Sequence, residues 1–322
     1  MPIVYIHGVA VRDEDPALAD ATKRFREVPW PRIQANLREH LAPVVSDDPD
    51  GVPIMRIYWG DLGAHFAWGG RSLISRPRGP QDPDDDEEVA DTAEELVAAR
   101  GEMGATSEQP SPAGRLEEAR VRGIERLRET ATALRRPLEG FLPTFIGDVM
   151  TYVARRGTAE APGPIPLRVL AGLETAAFAA ASREEPLVVI THSMGGQILY
   201  DVLTHFLPRL PRYGEIRVDF WCATASQVGF FEELGLFLES DPGHSRATGV
   251  LTPQPSSEVL GGWWNVWDHA DMLSFRAEGI FAGVDDSPFF VAGSLATDHN
   301  AYLDNRDFHR MLAVRVRESL RR

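Results

Sequence analysis

Two parts of the chain alternate between apolar runs and amphipathic segments. Runs of β-branched and aromatic residues that end in turn residues predict buried strands at residues 3–6, 54–59, 187–190, 216–222, 263–267 and 289–291. Apolar residues at three- and four-residue steps predict helices beginning at Pro31 and spanning residues 197–206, 230–238 and 306–320. This alternation of strands and helices predicts an α/β fold with a mostly parallel sheet flanked by helices.

The middle of the chain has a different pattern. Residues 81–110 hold eleven acidic residues and one basic residue, a composition typical of a solvated, disordered loop. An amphipathic helix is predicted over residues 124–138, and residues 141–153 are strongly apolar. We therefore interpret residues 64–164 as a helical insertion that contains the acidic loop, and residues 1–63 and 165–322 as the α/β core.

Composition excludes several classes of protein. The chain has 322 residues and a formal net charge of -15, which disfavours binding to nucleic acid because phosphates repel an acidic surface. Its single cysteine, Cys222, rules out an intrachain disulfide. We find no run of about 18 apolar residues that would span a bilayer and no signal peptide, so we expect no integral membrane segment and a cytoplasmic location.

A serine lies at the sharpest predicted bend of the chain. In the stretch THSMGG, Ser193 follows a predicted strand and precedes a predicted helix, where the carboxyl end of a parallel sheet holds its ligands. Gly195 and its neighbour Gly196 allow helix and strand to approach closely. The N–H of Met194, at a helix N-terminus, is placed to donate to an oxyanion.

This stretch resembles the nucleophile elbow of the α/β-hydrolases, G-x-S-x-G, in its lipase-like form GHSMGG; Thr191 stands where the family has its first glycine. The resemblance covers residues 1–63 and 165–322. It implies an α/β-hydrolase fold with a large cap-like insertion and without the family's first two edge strands, because the chain enters at the usual third strand. His192 and Gly195 belong to the same motif.

The resemblance also implies an acid and a base, in the order Ser, Asp, His. Asp271, which precedes an apolar pair in the loop after the strand at 263–267, matches the acid, and Asp268 at the strand tip is the alternative, or a turn former. His299 matches the base, with Tyr302 packing beneath it. His269 is a weaker competitor for the base.

A second oxyanion donor is expected from the loop after the first strand, IVYIHGVAV. The resemblance assigns this role to the N–H of Val9, together with that of Met194. In this interpretation His7 shapes the turn and Gly8 lets the backbone approach the serine.

These residues predict a serine hydrolase that cleaves a carboxylic ester with an apolar acyl group through an acyl-enzyme, without metal or cofactor. A thioesterase, an acyltransferase and a non-catalytic hydrolase-like scaffold remain alternatives. A metal hydrolase using His269 and Asp271, or Asp298 and His299, lacks the H-E-x-x-H spacing, and no nucleotide-binding glycine motif is present. The acidic loop would recruit a basic protein partner or regulate access.

Overall fold

A computed structural model describes residues 2–13, 28–68, 141–290 and 298–321. Six strands form one sheet in the order β2-β1-β3-β4-β5-β6, and every neighbouring pair is parallel. The predicted α/β architecture with a parallel sheet is therefore confirmed. The strands are β1 (Ile3–Ile6), β2 (Ile54–Ile57), β3 (Val188–His192), β4 (Phe220–Thr224), β5 (Trp263–Trp267) and β6 (Asp285–Pro288).

Helices connect and cover these strands. They are α1 (Trp30–His40), α2 (Ala42–Val45), α3 (Phe141–Arg155), α4 (Pro164–Arg183), α5 (Met194–Asp201), α6 (Leu207–Arg209), α7 (Val228–Glu233), α8 (Asp298–Ala301) and α9 (Arg306–Ser319). Short 3₁₀ turns lie at Gly60–Leu62, Pro211–Tyr213 and Tyr302–Asp304, and a π-helical turn at Val202–Phe206 continues α5.

The sheet has a hydrophobic core on each face. Val4 and Ile6 of β1 point into the core that is shared with α4 and α5. Ile3 and Tyr5 point into the opposite core, which is shared with α1 and α9. Because both faces are covered, the strands need apolar residues at successive positions rather than at alternate ones, which explains why the sequence predicts buried strands here.

Helix α4 covers one face of the sheet. Among the described residues it is the helix whose length and apolar composition would suffice to cross a membrane. Its buried residues are Ile165, Pro166, Val169, Leu170, Leu173, Ala176 and Ala180. These residues belong to the hydrophobic core beside the sheet, and Gly172 lies against Ile57 of β2. Packing on the sheet therefore accounts for the apolar residues on this face of α4, whereas Leu167 and Phe178 are exposed.

The chain divides into two compact units, one comprising Met1–Ala67 and Phe141–Arg322 and the other Trp68–Gly140. The first unit is larger than the core predicted at residues 1–63 and 165–322, because it includes α3, whose Tyr152 is fully buried in the core. The predicted acidic loop at 81–110 and the predicted helix at 124–138 lie outside the described residues.

The last strand differs from the prediction. The sequence predicts it at residues 289–291, but β6 spans Asp285–Pro288. This strand lies at the edge of the sheet and its side chains are exposed or half-buried, so it carries no apolar run. The ladder continues for one more bond, in which the N–H of Phe289 donates to the carbonyl of Trp267 at 2.8 Å.

Candidate active site

Ser193 sits in the turn between β3 and α5. Its backbone adopts φ 51° and ψ −126°, a left-handed conformation that L-residues other than glycine rarely adopt. The N–H of Ser193 donates to the carbonyl of Thr224 at 2.9 Å, which extends the β3–β4 ladder by one bond and holds the turn in place. A strained backbone fixed by its surroundings is typical of functional turns.

Two glycines allow other strands to approach this turn. A Cβ atom on Gly195 would lie 2.5 Å from the carbonyl oxygen of Ile6, at the end of β1. A Cβ atom on Gly8 would lie 2.8 Å from the Cβ of Ser193. Both positions therefore exclude a side chain, and the loop after β1 lies directly beside the serine.

Thr191, which stands where the motif G-x-S-x-G has its first glycine, does not crowd the turn. It is the fourth residue of β3 and is fully buried. Its hydroxyl accepts a hydrogen bond from Nε1 of Trp221 at 2.9 Å. The threonine is thus part of the sheet's packing, and its hydroxyl satisfies an indole N–H that would otherwise be buried without a partner.

His299 and Asp271 form a buried pair. Nδ1 of His299 lies 2.9 Å from Oδ2 and 3.0 Å from Oδ1 of Asp271, and the two side chains are 6% and 1% exposed. The carboxylate also accepts from the N–H of Leu273 at 2.9 Å. An acceptor at Nδ1 places the proton there, so Nε2 carries the lone pair. Nε2 is buried and has no hydrogen-bond partner among the described residues.

Ser193 and His299 are not hydrogen-bonded to each other in the described structure. The Ser193 hydroxyl instead accepts from Nε2 of Gln227 at 3.4 Å. The Ser193 residue is 1% exposed, so the hydroxyl lies in a closed site. Catalytic hydrogen bonds are commonly long or misaligned before substrate binds. The described structure links the Ser193 turn to His299 through the neighbouring His192, whose ring lies 4.8 Å from that of His299.

The competing candidates have other contacts. Oδ1 of Asp268 accepts from the N–H of Ala270 at 2.9 Å, the geometry of a turn-forming aspartate. His269 stacks on Phe290 with ring centroids 5.7 Å apart. The described structure brings Asp271, and neither Asp268 nor His269, to His299.

Tyr302 is fully buried in the core on the α9 side of the sheet. Its ring lies against those of Phe289 and Phe308, with both centroid distances 6.2 Å. These contacts anchor the segment that follows His299 to the sheet.

Val9 and Met194 are the residues whose backbone N–H groups the sequence predicts to bind an oxyanion. Val9 and Met194 are both buried, and neither backbone N–H donates to an acceptor within the described parts of the chain. Buried N–H groups without a partner are rare, because each costs the free energy of a lost hydrogen bond. Met194 is the first residue of α5, and Val9 lies in the loop after β1.

His7 holds the loop after β1 in shape. Its Nε2 accepts from the N–H of Trp59 at 2.9 Å, and its Nδ1 donates to the carbonyl of Gly8 at 2.6 Å. Burial and the nearby Arg56 guanidinium lower the pKa of His7 well below its usual value, so the ring is neutral. A neutral ring that uses both nitrogens for the fold is a structural residue.

His192 supports the other histidine. Its Nε2 donates to the backbone carbonyl of His299 at 2.7 Å, and the two rings lie 4.8 Å apart. Burial, and secondarily the neighbouring His299, lower the pKa of His192 to about 3. The ring therefore remains a neutral donor at physiological pH and anchors the backbone of His299.

Gln227 is a residue of this site that the sequence does not reveal. Its amide donates to the carbonyl of Ala225 at 3.0 Å and to the carbonyl of Leu273, and it accepts from Nε2 of Gln197 at 2.6 Å. It thereby joins α5, the loop after β4 and the loop that carries Asp271. A single glutamine in a loop carries no motif, so only the structure identifies it.

Within the described residues there is no group of three or more His, Cys, Asp or Glu side chains arranged to hold a metal ion. Comparisons of the chain with protein-family models, with curated proteins and with solved structures found no match.

Proposed function

We propose that this protein is a serine hydrolase of the α/β-hydrolase type that cleaves carboxylic esters through an acyl-enzyme on Ser193. The observation that carries the proposal is the buried His299–Asp271 pair beside the strained Ser193 turn, with Nε2 of His299 left without a partner among the described residues. A nucleophile, a base and an orienting acid are the three groups that this chemistry requires.

The order of these groups along the chain supports the fold type. Ser193 follows β3, Asp271 follows β5 and His299 follows β6, so all three lie beyond the carboxyl ends of parallel strands. This is the chain order Ser, Asp, His of the α/β-hydrolases. Ligands of open parallel sheets bind at the same edge.

In the proposed mechanism, the Ser193 hydroxyl leaves Gln227, rotates towards His299 and attacks the ester carbonyl as Nε2 takes its proton. The N–H groups of Val9 and Met194 bind the oxyanion, a contribution of about 3 kcal/mol per donor in comparable sites. Protonated Nε2 then protonates the leaving alcohol. A water molecule activated by His299 releases the acid, and Asp271 stabilises the imidazolium throughout.

We base the proposal of an apolar acyl group on the exposed apolar residues of α3. Leu142, Ile146 and Met150 form an exposed apolar stripe along α3. The same helix contacts the loop after β1 through Asp148, which accepts from the N–H of Ala10 at 2.8 Å. The proposed mechanism needs no cofactor. A cytoplasmic location and a protein partner for the acidic loop stay predictions.

Labelling with a fluorophosphonate probe tests the proposal. The native protein should be labelled at a serine, Ser193→Ala should abolish labelling, and Ser240→Ala should not. Ser240 is a suitable control because its hydroxyl donates to Glu232. Ser240 is distant in sequence from Ser193, Asp271 and His299 and has no hydrogen bond to them in the described structure. Native protein that is folded but unlabelled would overturn the proposal.

A series of p-nitrophenyl esters tests the acyl group. We expect kcat/KM to rise from acetyl to longer chains, and a preference for acetyl alone would contradict the proposal of an apolar acyl group. Matched oxygen esters and thioesters distinguish an esterase from a thioesterase, and added alcohols that capture the acyl group would indicate an acyltransferase.

A non-catalytic scaffold is the second candidate. It is favoured by the hydrogen bond of Ser193 to Gln227 in place of His299, and by the closed site around the hydroxyl. The same labelling experiment separates the two functions, because a scaffold with an inaccessible serine does not react.

A further inference from the structure

We propose that Asp148 is a positioning residue that sets the conformation of the oxyanion loop, residues 8–12. This inference rests on the proposed function, since it assigns Asp148 to the same reaction. Asp148 lies on α3, far in sequence from Ser193, His299 and Asp271, and the mechanism above gives it no chemical step.

Asp148 is fully buried and its carboxylate receives three donors. Oδ2 accepts from the N–H of Ala10 at 2.8 Å, and Oδ1 accepts from the N–H of Ala64 at 2.7 Å. Nη2 of Arg12 lies 2.5 Å from Oδ1 and balances the charge. One side chain thus joins the loop after β1 to the loop after β2, and a buried carboxylate with all of these partners is a rigid anchor.

The bond to Ala10 acts on the neighbouring residue, Val9. The peptide between Val9 and Ala10 is planar, so an N–H that points to Asp148 turns the Val9 carbonyl away from it. A flip of this peptide would bring the carbonyl oxygen towards the carboxylate and is disfavoured. Ala10 itself is held at φ 58°, a strained value that needs such support. Asp148 therefore restricts the backbone that presents the Val9 N–H.

Two glycines show how closely the loops are built around this anchor. A Cβ atom on Gly63 would lie 2.4 Å from Oδ1 of Asp148, and one on Gly60 would clash with the carbonyl oxygen of Val11. Gly63 therefore leaves room for the carboxylate, and Gly60 lets the loop after β2 approach the loop after β1. This interlocking fixes the loop on both sides.

The test compares Asp148→Asn with Asp201→Asn. Asparagine has one acceptor oxygen where aspartate has two. Its N–H₂ group must therefore face either the N–H of Ala10 or the two donors from Ala64 and Arg12, and those donors lose their acceptor. Asp201 is a matched control: it is also fully buried, and its carboxylate accepts from Arg156 at 2.8 Å, Tyr152 at 2.8 Å and the N–H of Leu238 at 3.0 Å. It contacts none of the residues of the oxyanion loop.

The expected result is specific to transition-state binding. Asp148→Asn should lower kcat for an ester about 100-fold while KM changes little, because an oxyanion donor acts mainly in the transition state. The affinity of an alkyl boronic acid, whose tetrahedral adduct places an oxygen in the oxyanion hole, should fall in parallel. Asp201→Asn should leave both quantities close to native, whatever it does to the temperature of unfolding.

A second variant covers the case in which Asp148→Asn does not fold. Gly63→Ala leaves the carboxylate and its donors in the chain but displaces them, and it should lower kcat and boronate affinity together. Folded variants with native kcat, or an equal loss of kcat in Asp201→Asn, would overturn the inference while leaving Ser193 labelling intact. Native protein without Ser193 labelling would instead overturn the proposed function, and the inference with it.

Discussion

The imidazole of His192 donates a hydrogen bond from Nε2 to the backbone carbonyl of His299 at 2.7 Å. The residue before the proposed nucleophile thus holds the proposed base. We predict that His192→Leu lowers kcat about 10- to 100-fold, because a misplacement of about 1 Å can cost a factor of this size. His192→Gln, which retains an N–H donor, should recover part of the loss.

The pH profile of kcat/KM checks that His192 acts only through His299. Since burial lowers the pKa of His192 to about 3, His192 does not titrate near neutral pH, and the profile should keep its acid limb in both variants. Loss of that limb in His192→Gln would mean that His192 itself is the base.

The choice of acid gives a second prediction. Asp271→Asn should lower kcat by about 10⁴-fold, because an amide facing Nδ1 of His299 favours the wrong tautomer. Asp268→Asn should cost far less, since the Asp268 carboxylate accepts from the N–H of Ala270 within its own loop. Steady-state kinetics on one ester measures both, and a larger loss in Asp268→Asn would show that the acid is misassigned.

Replacing Thr191 gives a third prediction, which concerns stability. Thr191→Val keeps the shape but leaves Nε1 of Trp221 without its acceptor, so the free energy of unfolding should fall by about 1–3 kcal/mol. Thr191→Gly introduces the first glycine of the motif G-x-S-x-G and should be at least as destabilising, with no gain in kcat. Urea unfolding and ester kinetics on both variants test this, and a stabilised Thr191→Gly would contradict it.

Stability at acidic pH depends on His309. This ring is fully buried, its Nε2 donates to the carbonyl of Leu303 at 2.9 Å, and burial lowers its pKa from 6.5 to about 4. His40, Glu39 and Asp304 are the charged or titratable groups that influence it. Because the unfolded chain takes up the proton at higher pH than the folded one, stability is complete above about pH 6.5 and falls as the pH drops towards 4.

Between about pH 7.5 and about pH 5, His309 should account for a loss of about 2 kcal/mol in the free energy of unfolding. His309→Gln should remove this part of the pH dependence in urea titrations. The buried His192, with a pKa of about 3, also lowers the free energy of unfolding as the pH falls. This part of the pH dependence remains in His309→Gln. An unchanged slope in His309→Gln would contradict the assignment.

The fold could be predicted from the sequence where residues are buried on both faces of the sheet. β5 lies at Trp263–Trp267 as the apolar run predicts, and β1 lies at Ile3–Ile6. β6 was placed wrongly because the edge strand Asp285–Pro288 has polar, partly exposed residues. Helix α4 has no clear polar stripe, since alanines occupy much of its surface, and periodicity therefore does not mark it.

In the candidate site, chain order and local motif predict Ser193, Asp271 and His299, and the structure brings Asp271 and His299 into contact. The supporting contacts could not be predicted in this way. Gln227 and Asp148 act through backbone groups of loops distant in sequence, and such bonds leave no spacing or periodicity to detect. Their roles depend on loop geometry that only the assembled fold supplies.

Among the described residues, four non-glycine residues have a positive φ: Ala10, Glu184, Ser193 and Ala225. Three of them follow the neighbouring strands β1, β3 and β4 at the edge that holds the candidate site. For an engineer, replacing Ala10 or Ala225 by glycine at this edge would relieve backbone strain and gain stability, whereas Ser193 must stay because it is the proposed nucleophile. Those same gains would loosen the loops that orient the serine, so thermostability is better sought at the opposite edge of the sheet.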